Sequence, residues 1–169
     1  IDYFKQLNDN YGHLEGDKAL VEISKTLKEY VNSDVKFGRF GGDEFILLMR
    51  GRGNNAAEIA KRLIDEISQT YEIQGVSLQT GASIGISVLF QDGENLEDLI
   101  QASDTAMYQA KANGRGCFRF FEKTMQSKVQ LRLELKHTLK KAIAENEFCL
   151  FYQPKVAFTK DGNYERVGY

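Results

Sequence analysis

The sequence predicts an α+β fold, with a mixed, largely antiparallel central sheet flanked by helices. Three observations predict it. Two apolar runs, Val35–Phe40 and Phe45–Met49, meet at Gly41-Gly42-Asp43-Glu44, the pattern of a β-hairpin closed by a tight turn. Stretches opening at Gly16, Asn55 and Asn95 repeat apolar residues at three- and four-residue steps, as helices that bury one face do. Helices and strands also follow one another in mixed order, which suits helices packed on an antiparallel sheet. A doubly wound parallel sheet is disfavoured, because hairpin partners are antiparallel neighbours.

Along the chain, Ile1–Tyr3 reads as a strand end and Phe4–Asn10 as a short helix or turn, broken at Tyr11-Gly12-His13. Gly16–Val31 is an amphipathic helix carrying Leu20, Ile23, Leu27, Tyr30 and Val31. After the hairpin, Asn55-Ala-Ala-Glu58 has the form of a capping box, opening a helix with Ile59, Leu63, Ile64 and Ile67 on one face. Val76–Gln79 and Ala82–Phe90 are rich in β-branched residues and read as strands. Asn95 caps a third helix bearing Leu96, Leu99, Ile100, Ala106 and Met107, which Gly114 ends; Cys117–Phe121 is a further strand. Composition turns polar at Glu122. Lys123–Glu145 carries the stripe Leu131, Leu135, Leu139 and Ala142 of a connecting helix. Phe148–Tyr152 and Tyr164–Val167, with a turn at Lys160–Asn163, form a C-terminal hairpin too small to stand as a domain.

The 169 residues suffice for one domain with a sizeable core, and 42% hydrophobic with 27% charged content is ordinary for a soluble globular chain. A net charge of −2 gives no general attraction to nucleic acid or membrane. No apolar run approaches the roughly 18 residues of a membrane span. Cys117 and Cys149 lack metal-ligand spacing and lie in apolar runs, so buried, reduced thiols are expected. The chain opens in mid-pattern without a starting Met, which suggests a piece of a longer protein, with any sensor or membrane anchor upstream.

Chemistry concentrates at four places. Asp43 and Glu44 are adjacent carboxylates at a hairpin tip, a donor set suited to a hard cation such as Mg²⁺; a solvated turn is the plainer alternative. Gly41 and Gly42 leave room for a ligand to approach the backbone. Asn8 and Asp17 offer an amide and a carboxylate, apt for the donor–acceptor edge of guanine, or else a polar loop and a helix start. Lys111 and Arg115 end the third helix, where cations are favoured by the dipole alone. Rival motifs fail. Gly12…Gly16-Asp17-Lys18 lacks the Gly-Lys-Ser/Thr ending of a P-loop, and two histidines, His13 and His137, make a His-rich metal site implausible.

Taken whole, Gly41-Gly42-Asp43-Glu44-Phe45 resembles the signature of the GGDEF family, bacterial diguanylate cyclases that join two GTP into cyclic di-GMP. Ile1-Asp-Tyr-Phe-Lys-Gln-Leu-Asn-Asp9, Gly12-His13, Gly16-Asp17, Ala82-Ser-Ile-Gly-Ile-Ser87 and Asp104–Arg115 resemble further motifs of that family, in the same order. The resemblance runs from Ile1 to about Phe121 and implies the nucleotidyl cyclase fold. It implies Mg²⁺ or Mn²⁺ held by Asp43, the Ile1 carbonyl and Glu44. Phe4, Lys5, Lys111 and Arg115 would face phosphates, Gly41 and Gly42 the substrate, and Asn8, His13 and Asp17 the guanine nucleoside. Glu44 would activate or orient the attacking hydroxyl, and Asp43 would support catalysis through the metal. The family binds one GTP per subunit, so a two-fold homodimer is implied. It also implies a cytoplasmic location, with no nucleic-acid partner.

Two departures stand out. The family places an Asp just before the Ile1 position as a second metal ligand, and this chain begins after it. The family's Arg-x-x-Asp product-inhibition site aligns with Asn32-Ser-Asp-Val35, and no arginine lies between Val21 and Gly38, so feedback by that route is not expected. Leu139–Lys155 resembles the start of an EAL domain, the cyclic di-GMP phosphodiesterase, ending before that family's metal-binding motif. The expected partition is therefore 1–122 GGDEF domain, 123–146 connecting helix and 147–169 incomplete EAL domain, from a tandem parent. The alternative function is a catalytically inactive GTP-binding module controlling an adjacent EAL phosphodiesterase. A dimerisation element built on the Lys123–Glu145 helix leaves the pocket residues unexplained.

Overall fold

The computed structural model describes every residue except Arg52, Gln74, Gly75, Tyr152, Pro154, 159–163 and Tyr169. Side chains of 72, 73, 76, 128–134, 136, 137, 155–158 and 164–168 also lie outside the description. The chain divides into two compact units, Ile1–Val129 and Gln130–Tyr169.

Chain order is α1 (Phe4–Tyr11), α2 (His13–Glu29), β1 (Val35–Gly41), β2 (Glu44–Met49), α3 (Gly53–Ile67), β3 (Thr70–Ile73), β4 (Val76–Gln79), β5 (Ile84–Ile86), α4 (Leu96–Ala112), β6 (Phe118–Phe120), α5 (Lys123–Ala144), β7 (Lys155–Phe158) and β8 (Tyr164–Gly168). The strands pair two by two among the described residues. β1–β2, β3–β4 and β7–β8 are antiparallel, and β5–β6 is parallel. The fold is thus mixed, with antiparallel pairing predominant, and among the described residues of the first unit its three pairs stand as separate two-stranded sheets.

The core follows the helical stripes. Ile23 and Leu27 of α2 pack with Leu63, Ile64 and Ile67 of α3 and with Ala82. Each large aliphatic side chain so buried contributes about 1.5–3 kcal/mol. Leu7, Ala19 and Leu78 form a second cluster; Ala102, Ala106 and Phe121 form a third. On α4 the buried residues are all alanines, Ala102, Ala106 and Ala110. They let the helix descend onto β5 until a Cβ added at Gly85 would lie 1.8 Å from the Ser103 carbonyl oxygen. The Asn95 cap forms as expected, its side chain accepting from the Asp98 amide at 2.9 Å.

Several expectations need correction. The Ile1–Tyr3 strand end is only an isolated bridge, Asp2 to Gly81, because Tyr3 turns left-handed to start α1. α2 begins at His13 rather than Gly16 and ends at Glu29, leaving Val31 exposed. α3 begins at Gly53, so Asn55 lies inside the helix and is no cap. β3 was not foreseen; it pairs with β4 from Thr70–Gln79 to Ile73–Val76. The run Ala82–Phe90 is a strand only over Ile84–Ile86. Asp92 captures the Val88 amide at 2.7 Å, and Phe90 turns left-handed and 84% exposed. Leu96, placed on the apolar face, is exposed. Residues 148–151 form no strand, and no partner strand meets them among the described residues. The thiols are free, but Cys117 is half-buried and Cys149 exposed rather than buried. The turn expected at 160–163 lies outside the described residues. Among those residues, no helix is long and apolar enough to cross a membrane.

Candidate functional site

Hairpin geometry creates the first part of the site. Gly42 takes φ +53, a conformation that costs other residues about 1 kcal/mol or more, and the register shifts between Arg39 and Gly41. Arg39 braces the turn: its Nε and Nη2 donate to the Gly42 carbonyl at 2.9 and 2.7 Å. No atom lies within 4 Å of a Cβ added at Gly41 or Gly42, so the tip is open on that side. Asp43 is partly buried and Glu44 exposed.

The Ile1 α-amine reaches this tip. It donates to the Asp43 carbonyl at 2.8 Å and lies 3.5 Å from Asp43 Oδ2. Ile1 and Asp43, distant in sequence, therefore meet at the tip.

A second part surrounds Asp2, whose role sequence reading missed. Its side chain is 1% exposed. Ser83 Oγ donates to both carboxylate oxygens, at 2.8 and 2.9 Å, and the Gly116 amide donates to Oδ2 at 3.1 Å. The Asp2 amide donates to the Gly81 carbonyl at 2.7 Å, and its own carbonyl accepts from Thr80 Oγ1 at 2.8 Å. A buried carboxylate is tolerable when donors surround it in this way. Arg115 Nε stands 4.0 Å from Asp2 Oδ1, and its guanidinium carbon lies 5.0 Å from the Tyr3 ring centre. Gly114, Arg115 and Gly116 have φ of +112, +66 and +57, and Tyr3 has +58. Left-handed backbone at Arg115 and Tyr3 costs about 1–3 kcal/mol each and persists only where surroundings enforce it. Asp2, Tyr3, Thr80, Arg115 and Gly116 help line an open cavity of about 390 Å³. The signals for Asp2 were its place inside a polar motif and the Gly-Arg-Gly sequence; its partners were invisible.

The third part joins α1 to α2. Asn8 Oδ1 is buried without a hydrogen-bond partner among the described residues. It sits against Gly16, where an added Cβ would fall 1.8 Å from Oδ1 and 3.2 Å from Phe4 Cζ. Gly16 is thus the gap into which Asn8 and Phe4 fit. Lys5, His13 and Asp17 are exposed and make no hydrogen bond or ion pair among the described residues. The structure therefore brings together Ile1 and Asp43, and separately Phe4 with Asn8. The stretch Asn32–Val35 is a turn, Asn32 Oδ1 accepting from the Asp34 and Val35 amides at 2.8 and 2.9 Å. Among the described residues no three His, Cys, Asp or Glu side chains cluster as metal ligands.

Fold and site define an α+β nucleotide-cyclase type of domain, with acids on a hairpin tip and cations at a helix end. The family model of the diguanylate cyclase GGDEF domain matches residues 1–117, and the chain belongs to the GGDEF family. The GGDEF domain of TpbB (YfiN) from Pseudomonas aeruginosa superposes with a TM-score of 0.72 at 31% identity, covering 76% of this chain and 77% of that one. The active GGEEF domain of a diguanylate cyclase from Vibrio cholerae gives 0.65 at 28% identity, covering 73% and 79%. Among curated proteins, the bifunctional diguanylate cyclase/cyclic di-GMP phosphodiesterase MucR of Pseudomonas aeruginosa is 40% identical over 157 residues, 92% of this chain and 23% of that protein. The cyclic di-GMP phosphodiesterase PdeR of Escherichia coli is 35% identical over 94% of this chain and 24% of its own length. The chain thus spans about a quarter of these two relatives.

Proposed function

We propose that this chain is the diguanylate cyclase part of a longer bacterial signalling protein, condensing two GTP into cyclic di-GMP and pyrophosphate across a homodimer. The carrying observation is the open hairpin tip, where Gly41 and Gly42 leave space beside the Asp43 and Glu44 carboxylates, in a chain that the GGDEF family model matches over residues 1–117. A triphosphate needs both signs of charge: cations for its oxygens and carboxylates for a divalent ion.

The donors present suit Mg²⁺ or Mn²⁺. Asp43 is partly buried and Glu44 exposed, both on the open hairpin tip. Mg²⁺ commonly takes one or two carboxylates, with water and substrate phosphates completing its shell. Asp43, Glu44 and the Ile1 carbonyl are the proposed ligands. When bound, the ion would neutralise charge on the reacting phosphate. Lys5, Lys111 and Arg115 bind the phosphates, with Phe4, Gly41 and Gly42 shaping that end. Asn8, His13 and Asp17 hold the guanine nucleoside; the unpartnered Asn8 Oδ1 supports this. The 3′-hydroxyl of one GTP attacks the α-phosphate of the other, Glu44 orients it and accepts its proton, and pyrophosphate departs. The second GTP comes from the partner subunit. Within this reading 1–122 is the cyclase domain, 123–146 a connecting helix and 147–169 the opening of an EAL domain, and the protein works in the cytoplasm.

A second reading, a GTP-binding module that regulates an EAL phosphodiesterase, is favoured by the similarity to PdeR. Incubating the longer parent protein with GTP and Mg²⁺ separates the two. Cyclic di-GMP formation that falls at least about a hundredfold in Glu44→Ala supports the cyclase. GTP binding with no product supports the module.

A further inference from the structure

We propose that Tyr3 is a positioning residue for Arg115, working from a frame set by Asp2; this rests on the reading of the site as a GTP site. Two of the few non-glycine residues with left-handed backbone, Tyr3 and Arg115, face each other. Two such residues rarely meet by chance, since each needs its surroundings to hold it.

The frame is explicit. Asp2 anchors the Gly116 amide at 3.1 Å, and the Arg115 amide donates to the Ala110 carbonyl at 3.1 Å, so the backbone on both sides of the Arg115 side chain is tied. The Asp2 carboxylate stands 4.0 Å from Nε, and the Tyr3 ring supports the guanidinium carbon at 5.0 Å. Asp2 and Tyr3 thus restrain one edge and one face. The guanidinium makes no hydrogen bond among the described residues, so its other donors are left for a fork of phosphate oxygens. Such pre-orientation lowers the ordering cost of binding a triphosphate. Tyr3 acts by its ring, because its hydroxyl makes no hydrogen bond among the described residues.

The test uses the longer parent protein, as the cyclase assay does. Its ligand-free readout is the Arg115 Nε–H proton resonance, and its second readout is a titration with GTP and Mg²⁺. The resonance should carry a ring-current shift that persists in Tyr3→Phe and disappears in Tyr3→Ala. GTP binding should weaken roughly three- to fivefold in Tyr3→Ala, hold in Tyr3→Phe, and show no further loss when Tyr3→Ala is added to Arg115→Ala. An absent ring-current shift, or an equal loss from Tyr3→Ala with and without Arg115, overturns the positioning role and leaves the cyclase reading standing. A parent protein that shows the shift yet binds no GTP overturns the cyclase reading, and with it the role of Tyr3 toward phosphate.

Discussion

Helices α4 and α5 were both foreseen from an apolar stripe, and they end in opposite circumstances. α4 buries Ala102, Ala106 and Ala110 to 2% exposure or less, and its backbone touches the space above Gly85. α5 leaves Leu135 and Leu139 about half exposed, at 52% and 50%, and buries Ala142 at its far end. The larger side chains are the less covered ones. A stripe thus specifies which face of a helix is apolar, whereas close seating is specified by small residues matched to a glycine on the facing strand.

Three measurements test that contrast. Gly85→Val should be the most severe. Its side chain would enter the Ser103 carbonyl and Met107 amide, 1.8 and 2.5 Å from the new Cβ, and main chain cannot swing aside. A loss of about 3 kcal/mol or more, or no cooperative melting, is expected in thermal circular dichroism. A variant melting within a few degrees of the native chain would mean that α4 is not seated so closely.

Next comes the tie between α2 and α3. Tyr30 Oη donates to Glu66 Oε1 at 2.6 Å, under the Arg62 guanidinium. Burial and the Glu66 carboxylate push the phenol up to about 12. The folded state therefore retains the proton more strongly than the unfolded chain. Stability from this contact is complete below about pH 10 and declines as pH rises from there toward 12. Tyr30→Phe should cost less than about 1 kcal/mol near neutrality and remove that portion of the alkaline decline, read by urea melts at each pH. Smallest of all, Leu135→Gln with Leu139→Gln should shift stability by less than about 0.5 kcal/mol. A large drop in melting temperature would show that the α5 stripe is covered after all.

Local pattern made much of this fold legible. The Asn95 cap, the Val35–Met49 hairpin and the buried faces of α2 and α3 rest on signals within a few residues. The short motifs likewise marked Asp43 and Asn8, which the structure places on the open hairpin tip and against Gly16. What escaped depended on distant partners. Asp2 is defined by Ser83 and Gly116, 81 and 114 residues away, and nothing beside it announces burial. β3 escaped because its identity depends on pairing with β4. The run Ala82–Phe90 was read too long because its β-branched residues outweighed the single Asp92 side chain that terminates the strand by capturing an amide.

The brace at the hairpin tip sorts the oxygens there by availability. Arg39 occupies the Gly42 carbonyl with two donors, and the Ile1 amine occupies the Asp43 carbonyl. Main-chain oxygen at these two positions is already engaged by N–H donors. A hard ion drawn to the tip would therefore meet the carboxylates of Asp43 and Glu44 before it could displace a donor from the Gly42 or Asp43 carbonyl.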